Sequence, residues 1–261
     1  MVALAAFFHY RLVLKRAEID VRSKIAKIKR TYGVNVHHQY DPTIFWKAGF
    51  PPLSTKGTDI GISHAHDLLE ITEEFLSQYP AELVRKHLSD IVLVKHLEFY
   101  GKAFGGTYSR SAIFIGTNGG FFRYLRGSVL GTMHAEFSSI LFSNYTFPRD
   151  VWEAANQPYW RYEGSGFEML GRRDVHDRNS KLWEDGFLEK YAQTSLENDF
   201  NTFVEWLFTR TERLGVLAAT YERINRKCNL AIEFLQSVHS RIRIPKPCTG
   251  SLILGDHGPT S

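Results

Sequence analysis

The residues best suited to chemistry in this chain surround Glu136, in the segment Gly131–Phe142 with the sequence GTMHAEFSSILF. A helix with the pattern H-E-x-x-H holds Zn²⁺ between two imidazoles one turn apart, and its glutamate activates the metal-bound water. Here the frame reads A-E-F-S-S from Ala135 to Ser139. Alanine has no donor atom, and a neutral serine hydroxyl replaces imidazole poorly. The pattern predicts a general base, Glu136, at a position where the usual zinc site is degenerate.

The segments around this motif alternate between helix and strand patterns, which predicts an α+β fold. Apolar and alternating runs predict strands, and helical spacing of apolar residues predicts helices. We expect a mixed sheet that packs against the motif helix, followed by a helical C-terminal part. The predicted strands cover residues 34–40, 90–97, 104–108 and 111–116, the last two as a hairpin or edge strand. The predicted helices cover residues 17–30, 126–143, 196–214 and 216–241, and a further helix begins near 67.

The chain is predicted to form one main domain. Residues 1–31 are expected to form an N-terminal helix, residues 32–243 the domain, and residues 244–261 a disordered tail. Two stretches are interpreted as loops: 47–61, which is rich in Pro and Gly, and 146–184, which is rich in aromatic residues and Gly. The second loop is expected to lie beside the substrate cleft or to fill core space with its aromatic rings.

The composition excludes few partners but disfavours nucleic acid. The chain has 32 basic and 28 acidic residues, a net charge of +4. The basic residues near the N-terminus are interrupted by acidic ones, which is typical of a solvated helix face. No segment approaches the roughly 20 apolar residues of a membrane span. We therefore expect a soluble protein, cytoplasmic by default unless an export signal has been removed, with reduced thiols at Cys228 and Cys248.

Several segments resemble a family of zinc-binding metallopeptidases of the zincin fold found in bacteria. In that family the motif helix reads H-H-E-F-x-H-I-L, and an E-D-F-x-E type segment on a later helix brings a third, acidic ligand. The resemblance spans roughly residues 32–238. The segments that carry it are residues 34–41, the motif helix ending in Ile140-Leu141, GFLEKYA at 186–192 and SLENDF at 195–200.

Carried over onto this sequence, the family motif places its general base on Glu136. His134 takes the histidine that precedes the usual motif, whereas Ala135 and Ser139 take the two histidine ligands. The third, acidic ligand falls on Asn198 if Asp199-Phe200 sets the register, with Glu197 one residue to the side. All three metal-ligand positions are therefore altered.

A rearranged metal site would need donors from outside the usual positions. The residues that could supply them are His134 on the motif helix with Glu197 and Asp199 on the later helix. On a helix, His134 and Glu136 lie about 200° apart and do not converge. Zinc is the cofactor if such a site forms, and there is no cofactor if the site is degenerate.

Two functional classes follow from the resemblance. The first is a zinc metallopeptidase-like hydrolase of peptides or proteins, in which zinc-bound water attacks a peptide carbonyl and Glu136 takes the proton. Its metal ligands are degenerate in this chain, so it is a pseudoenzyme if no zinc is held. The second is a non-catalytic binding or interaction module that keeps the zincin scaffold and its cleft. Both classes imply a peptide or protein partner.

Overall fold

The computed structural model describes residues 2–117, 122–164, 166–169, 172 and 174–246, with only the backbone of 2–10 and 122–125. The strands are β1 (Asn35–His37), β2 (Thr55–Thr58), β3 (Asp90–Val94), β4 (His96–Phe99), β5 (Lys102–Ala103), β6 (Gly106–Tyr108) and β7 (Ala112–Gly116). The first helices are α1 (Val2–Tyr32), α2 (Pro42–Lys47), α3 (Ile62–Ser77), α4 (Ala81–His87) and α5 (Phe122–Asn144). The later helices are α6 (Arg149–Glu153), α7 (Gly166–Met169), α8 (Ser180–Asp185), α9 (Leu196–Thr209), α10 (Thr211–Thr220) and α11 (Glu222–Val238), and Lys190–Gln193 forms a 3₁₀ turn.

The main sheet contains four strands in the order β1-β3-β7-β6. Strands β1, β3 and β7 are parallel, and β6 runs antiparallel to β7 at the sheet edge. All residues of β7 and all but the first of β3 are buried. Their continuous apolar sequences are typical of strands that are covered on both faces.

A second, antiparallel sheet contains β2, β4 and β5 in the order β2-β4-β5. It packs around a small aromatic core in which Phe45 lies 4.5 Å, centroid to centroid, from Phe114 of the main sheet. Strand β5 leads through Phe104 into β6. The second sheet therefore ends directly at the edge of the main one.

Helix α5 is central because it packs against the main sheet on one side and against α9 on another. Met133, Phe137 and Leu141 are fully buried along it. Ser195 is the N-cap residue of α9, and its side-chain oxygen accepts a hydrogen bond from the backbone N–H of Asn198. Within the described residues this gives a mixed α/β fold, consistent with the predicted α+β class and with the predicted helical C-terminal part.

Several predicted boundaries were wrong. Helix α1 covers Val2–Tyr32, the N-terminal segment expected to be helical, and extends beyond the periodic stretch 17–30; the predicted loop 47–61 contains β2. Helix α3 begins at Ile62 after Gly61, so the Asp67 pattern lies inside the helix instead of capping it. The predicted strand 90–97 divides into β3 and β4, which belong to different sheets. The hairpin of β6 and β7 was predicted correctly.

The C-terminal region forms three helices rather than the two predicted. Extended backbone at Tyr221 separates α10 from α11, and a non-helical conformation at Arg210 separates α9 from α10. The predicted tail lies outside the described residues from 247 onward. Cys228 is disulfide-bonded, so the expected reduced thiol is wrong there, and Cys248 lies outside the described residues. None of the described helices is long and apolar enough to cross a bilayer.

Candidate functional site

The side chain of Glu136 lies against the backbone of the edge strand β6. A Cβ atom built on Gly106 would be 2.9 Å from Glu136 Oε1 and 2.3 Å from Thr132 Cγ2. The contact with Thr132 Cγ2 is far shorter than a real Cβ tolerates, and the contact with Glu136 Oε1 is slightly shorter. Only glycine at position 106 therefore lets α5 approach the strand this closely, and the approach fixes the carboxyl of Glu136 at the sheet edge.

Glu136 and Glu197 form a pair of carboxyl groups between α5 and α9. Burial and, to a smaller extent, the nearby charge of Glu197 together raise the pKa of Glu136 to about 8. A like charge disfavours a second ionisation in the same region. At neutral pH, Glu136 is therefore mainly a neutral carboxylic acid that can donate a hydrogen bond.

Two tyrosines complete this cluster. Tyr108, the last residue of β6, has a raised pKa because it is buried and interacts with Glu197, and Glu136 contributes to the same shift. Tyr191, on the 3₁₀ turn, has a raised pKa because of burial and the charges of Glu136 and Glu197. Both phenols stay protonated; Tyr108 is hydrogen-bonded to Glu197, whereas Tyr191 is hydrogen-bonded to Asn198.

Neither motif ligand position carries an imidazole, and one of them, Ser139, faces α9. Ser139 is buried and accepts a hydrogen bond from Asn201 Nδ2 at 2.6 Å. Ser138 donates to Asn201 Oδ1, also at 2.6 Å. The amide of Asn201 thus bridges both hydroxyls in a neutral network. Ala135 contributes only its carbonyl, which lies 2.7 Å from the Ser138 hydroxyl.

His134 points away from Glu136 into an aromatic core. Its Nδ1 lies 2.8 Å from the Tyr79 hydroxyl, and its ring stacks on Phe208 at a centroid distance of 4.0 Å. Burial lowers the pKa of His134 to about 3, so the imidazole is neutral. The structure places this predicted ligand in the core beside Phe75 rather than at the carboxyl pair.

Asp199 lies in a different buried cluster, where its Oδ2 is 2.6 Å from Lys227 Nζ. Both side chains of this ion pair are fully buried. Trp152 and Tyr162 also donate to the same oxygen, at 2.9 and 2.8 Å. Burial raises the pKa of Asp199 and lowers that of Lys227, whereas their mutual attraction opposes both shifts. The pair fixes α9 to α11.

The donors proposed for a rearranged metal site are therefore dispersed. His134 contacts Tyr79, Glu197 lies with Glu136 and Tyr108, and Asp199 pairs with Lys227. Among the described residues, no group of three or more His, Cys, Asp or Glu side chains could hold a metal ion. A tight zinc site needs three or four converging donors, so the described residues do not fit zinc.

Sequence reasoning missed the residues that surround the carboxyl pair. Tyr108 and Tyr191, and Asn201 beside Ser138 and Ser139, belong to none of the predicted ligand sets, and no local pattern indicates the two tyrosines. The register of the resemblance had pointed to Asn198, whose side chain instead donates to Thr194 Oγ1 at 2.7 Å. For Asn201 the available signal was its spacing of four residues, about one helical turn, from Glu197, which places both on the same face of the helix.

The aromatic stretch 146–184 divides between the two roles expected for it. Trp152 is fully buried and fills core space. Tyr162 donates to Asp199 in the same region. Phe167, in contrast, is 39% exposed and lies on α7, near the sheet edge.

Comparisons with known proteins support the fold. No family model matches the sequence, and no curated protein matches it. The structure is similar to a crystal structure described as a "putative zinc-binding metallo-peptidase" from Bacteroides caccae, with a TM-score of 0.57 over 88% of each chain. The two sequences are 12% identical. At this identity the likeness shows a common fold and leaves the chemistry to the residues of each site.

Proposed function

We propose that this chain is a metallopeptidase-like protein on a zincin-type scaffold that does not hold the catalytic zinc and that binds a peptide in the retained cleft. The observation that carries the proposal is the neutral bridge formed by Asn201 with Ser138 and Ser139. It includes Ser139, one of the two positions at which the family motif has a histidine ligand, and each polar group of the bridge is already hydrogen-bonded. With alanine at position 135, no ligand of the motif is left.

Strand β6 is the last strand of the main sheet within the described residues, which supports a peptide as the ligand. Gly105 O and Ser109 N form hydrogen bonds with β7. In an antiparallel strand every second residue bonds to the same neighbour, so the backbone groups of the residues at 106 and 108 point away from β7. Gly106 and Tyr108 thus present N–H and C=O groups to which an extended chain can pair. The neutral acid of Glu136 and the phenol of Tyr191 add donors suited to peptide carbonyls.

Zinc content tests the first half of this proposal. After dialysis against a weak chelator, the wild-type protein should retain far less than one equivalent of zinc. The triple variant Ala135→His/Ser139→His/Asn201→Glu supplies two imidazoles and a carboxylate, and we expect it to bind about one equivalent. A matched variant with glutamine at all three positions should bind none.

Two results would contradict the proposal. One tightly held zinc in the wild-type protein would demand a metal site built from other donors. A folded triple variant without zinc affinity would show that α5 and α9 do not face each other as described. Hydrolysis of a fluorogenic peptide that is abolished by Glu136→Gln would favour the hydrolase alternative.

A further inference from the structure

A cavity of about 520 Å³ opens beside β2, the edge strand of the second sheet. Small-molecule sites typically have volumes of about 300–1,000 Å³. The cavity, called the hollow below, shares no described lining residue with the cluster of Glu136 and Glu197. Its lining includes Tyr40, Trp46, Leu53, Lys56, His96 and Glu98.

Two apolar side chains of the hollow face solvent. Trp46 is 45% exposed, although the preceding residue of α2, Phe45, is fully buried in the small aromatic core. Within the part of the chain that the structure describes, the Trp46 indole contacts no other ring and has no hydrogen-bond partner. Leu53 is 92% exposed and has a φ of +64°, a conformation that is costly for a residue with a branched side chain. An uncovered indole and a strained, exposed leucine at one cavity indicate a surface that a ligand covers.

The outer face of β2 and β4 supplies the polar lining of the hollow. Lys56 lies directly opposite Glu98, and Thr58 lies directly opposite His96. Leu97, between His96 and Glu98, is buried, so the polar side chains are on the solvent side of the sheet. Lys56 and Glu98 form no ion pair despite their register, and none of these four side chains has a hydrogen-bond partner among the described residues. The hollow therefore offers one cation, one carboxylate, a hydroxyl and an imidazole to a ligand.

The backbone edge of β2 is closed to an added peptide strand. Ser54 O and Thr58 O accept hydrogen bonds from the strand beside them, so the backbone groups at 55 and 57 point outward. Tyr40 covers both positions. Its hydroxyl donates to Thr55 O at 2.9 Å, and a Cβ atom built on Gly57 would be 2.3 Å from its ring. An extended peptide thus finds no free backbone groups to pair with here.

We propose that the hollow binds a neutral saccharide. A pyranose ring has an apolar face of C–H groups, which suits the exposed face of Trp46. Its hydroxyls both donate and accept hydrogen bonds, which suits a lining in which Lys56 donates, Glu98 accepts, and Thr58 and His96 can do either. The opposite charges of Lys56 and Glu98 balance each other, which favours a neutral polyol over an anion or a cation. This site goes beyond the peptide cleft proposed above and does not depend on it.

Ligand-observed NMR with lactose, cellobiose, maltose and N,N′-diacetylchitobiose at millimolar concentration tests the site. We expect the full chain to bind at least one of these disaccharides and Trp46→Ala to weaken that binding about tenfold, because the stacked surface is lost. Thr58→Arg fills the hollow from an exposed strand position and should weaken the same binding without any change in α2. Tyr159→Ala is the matched control, because it removes a fully exposed aromatic ring that does not line the hollow.

The outcomes separate the hollow from the peptide cleft. Saccharide binding that is weakened in both hollow variants and unchanged in Tyr159→Ala supports the proposal. Failure of all these disaccharides to bind the folded wild-type protein overturns it, and so does binding that neither hollow variant changes. Fluorescein-labelled casein peptides are titrated in parallel. Peptide binding that Trp46→Ala and Thr58→Arg abolish, without saccharide binding, would assign the hollow to a peptide and reject the saccharide.

Discussion

The pH dependence of stability offers a direct test of the carboxyl pair. In the folded protein the pKa of Glu136 is raised from 4.5 to about 8. The folded state therefore binds more protons than the unfolded state between these values. The stabilisation that Glu136 contributes in its protonated form is fully present below pH 4.5 and is lost as pH rises through about 8.

The magnitude follows from proton linkage. Each pH unit between the two pKa values changes the free energy of unfolding by about 1.4 kcal/mol, so a rise from pH 5 to pH 7 removes at most about 2.7 kcal/mol. Glu136 is partly exposed, and solvent screening reduces this to about 1–2 kcal/mol. The variant Glu136→Gln mimics the protonated acid and does not titrate. We expect it to be more stable than the wild type by that amount at pH 7.

Urea unfolding at pH 4.5, 6 and 7.5 measures this difference, since the other titrating groups are common to both proteins. The difference should shrink almost to zero at pH 4.5. The matched control is Glu233→Gln, because Glu233 is exposed on α11 and should show no such trend. A stability difference that stays constant across the pH range would refute the burial of Glu136 beside a second carboxylate.

Two further substitutions test the clusters that flank the site. Lys227→Met leaves the Asp199 carboxylate buried without its cation and should lower the free energy of unfolding by about 3–5 kcal/mol. The double variant with Asp199→Asn should recover part of that loss in the same urea titration, and a single variant close to wild type would contradict a buried ion pair. His134→Phe keeps the stacked ring but removes the acceptor of the Tyr79 hydroxyl, so we expect a loss of about 1–3 kcal/mol. Thermal unfolding measures this loss, and an unchanged melting temperature would show that the buried hydrogen bond contributes little.

The part of the fold that could be predicted is the part with regular patterns. Strand β7 follows from its continuous apolar run, and β6 precedes it across a turn, whereas α5 was predicted as the motif helix. Strand β2 could not be found because its sequence, TKGT, is polar and lies at a sheet edge. The breaks at Arg210 and Tyr221 carry neither Pro nor Gly, the residues that usually mark a helix end.

The site was predictable only where it resembles a known motif. The expectation that Glu136 faces the helix that carries Glu197 was based on the order of segments in the family that the chain resembles. In that order, groups about sixty positions apart lie in one cleft. The role of His134 could not be derived, because its partner Tyr79 lies 55 positions away and belongs to no motif. Asn201 was missed because an amide that joins two hydroxyls has no signature as a metal ligand.

The bridge formed by Asn201 has a consequence for how the protein holds together. An ion bound between two helices acts as a cross-link that can be withdrawn, and proteins built that way unfold when a chelator competes for it. In this chain an amide joins α5 to α9 through Ser138 and Ser139. That link consists of covalently attached side chains, which a chelator cannot remove. The α5–α9 pair should therefore form on folding, independently of the metal ion concentration in the surroundings.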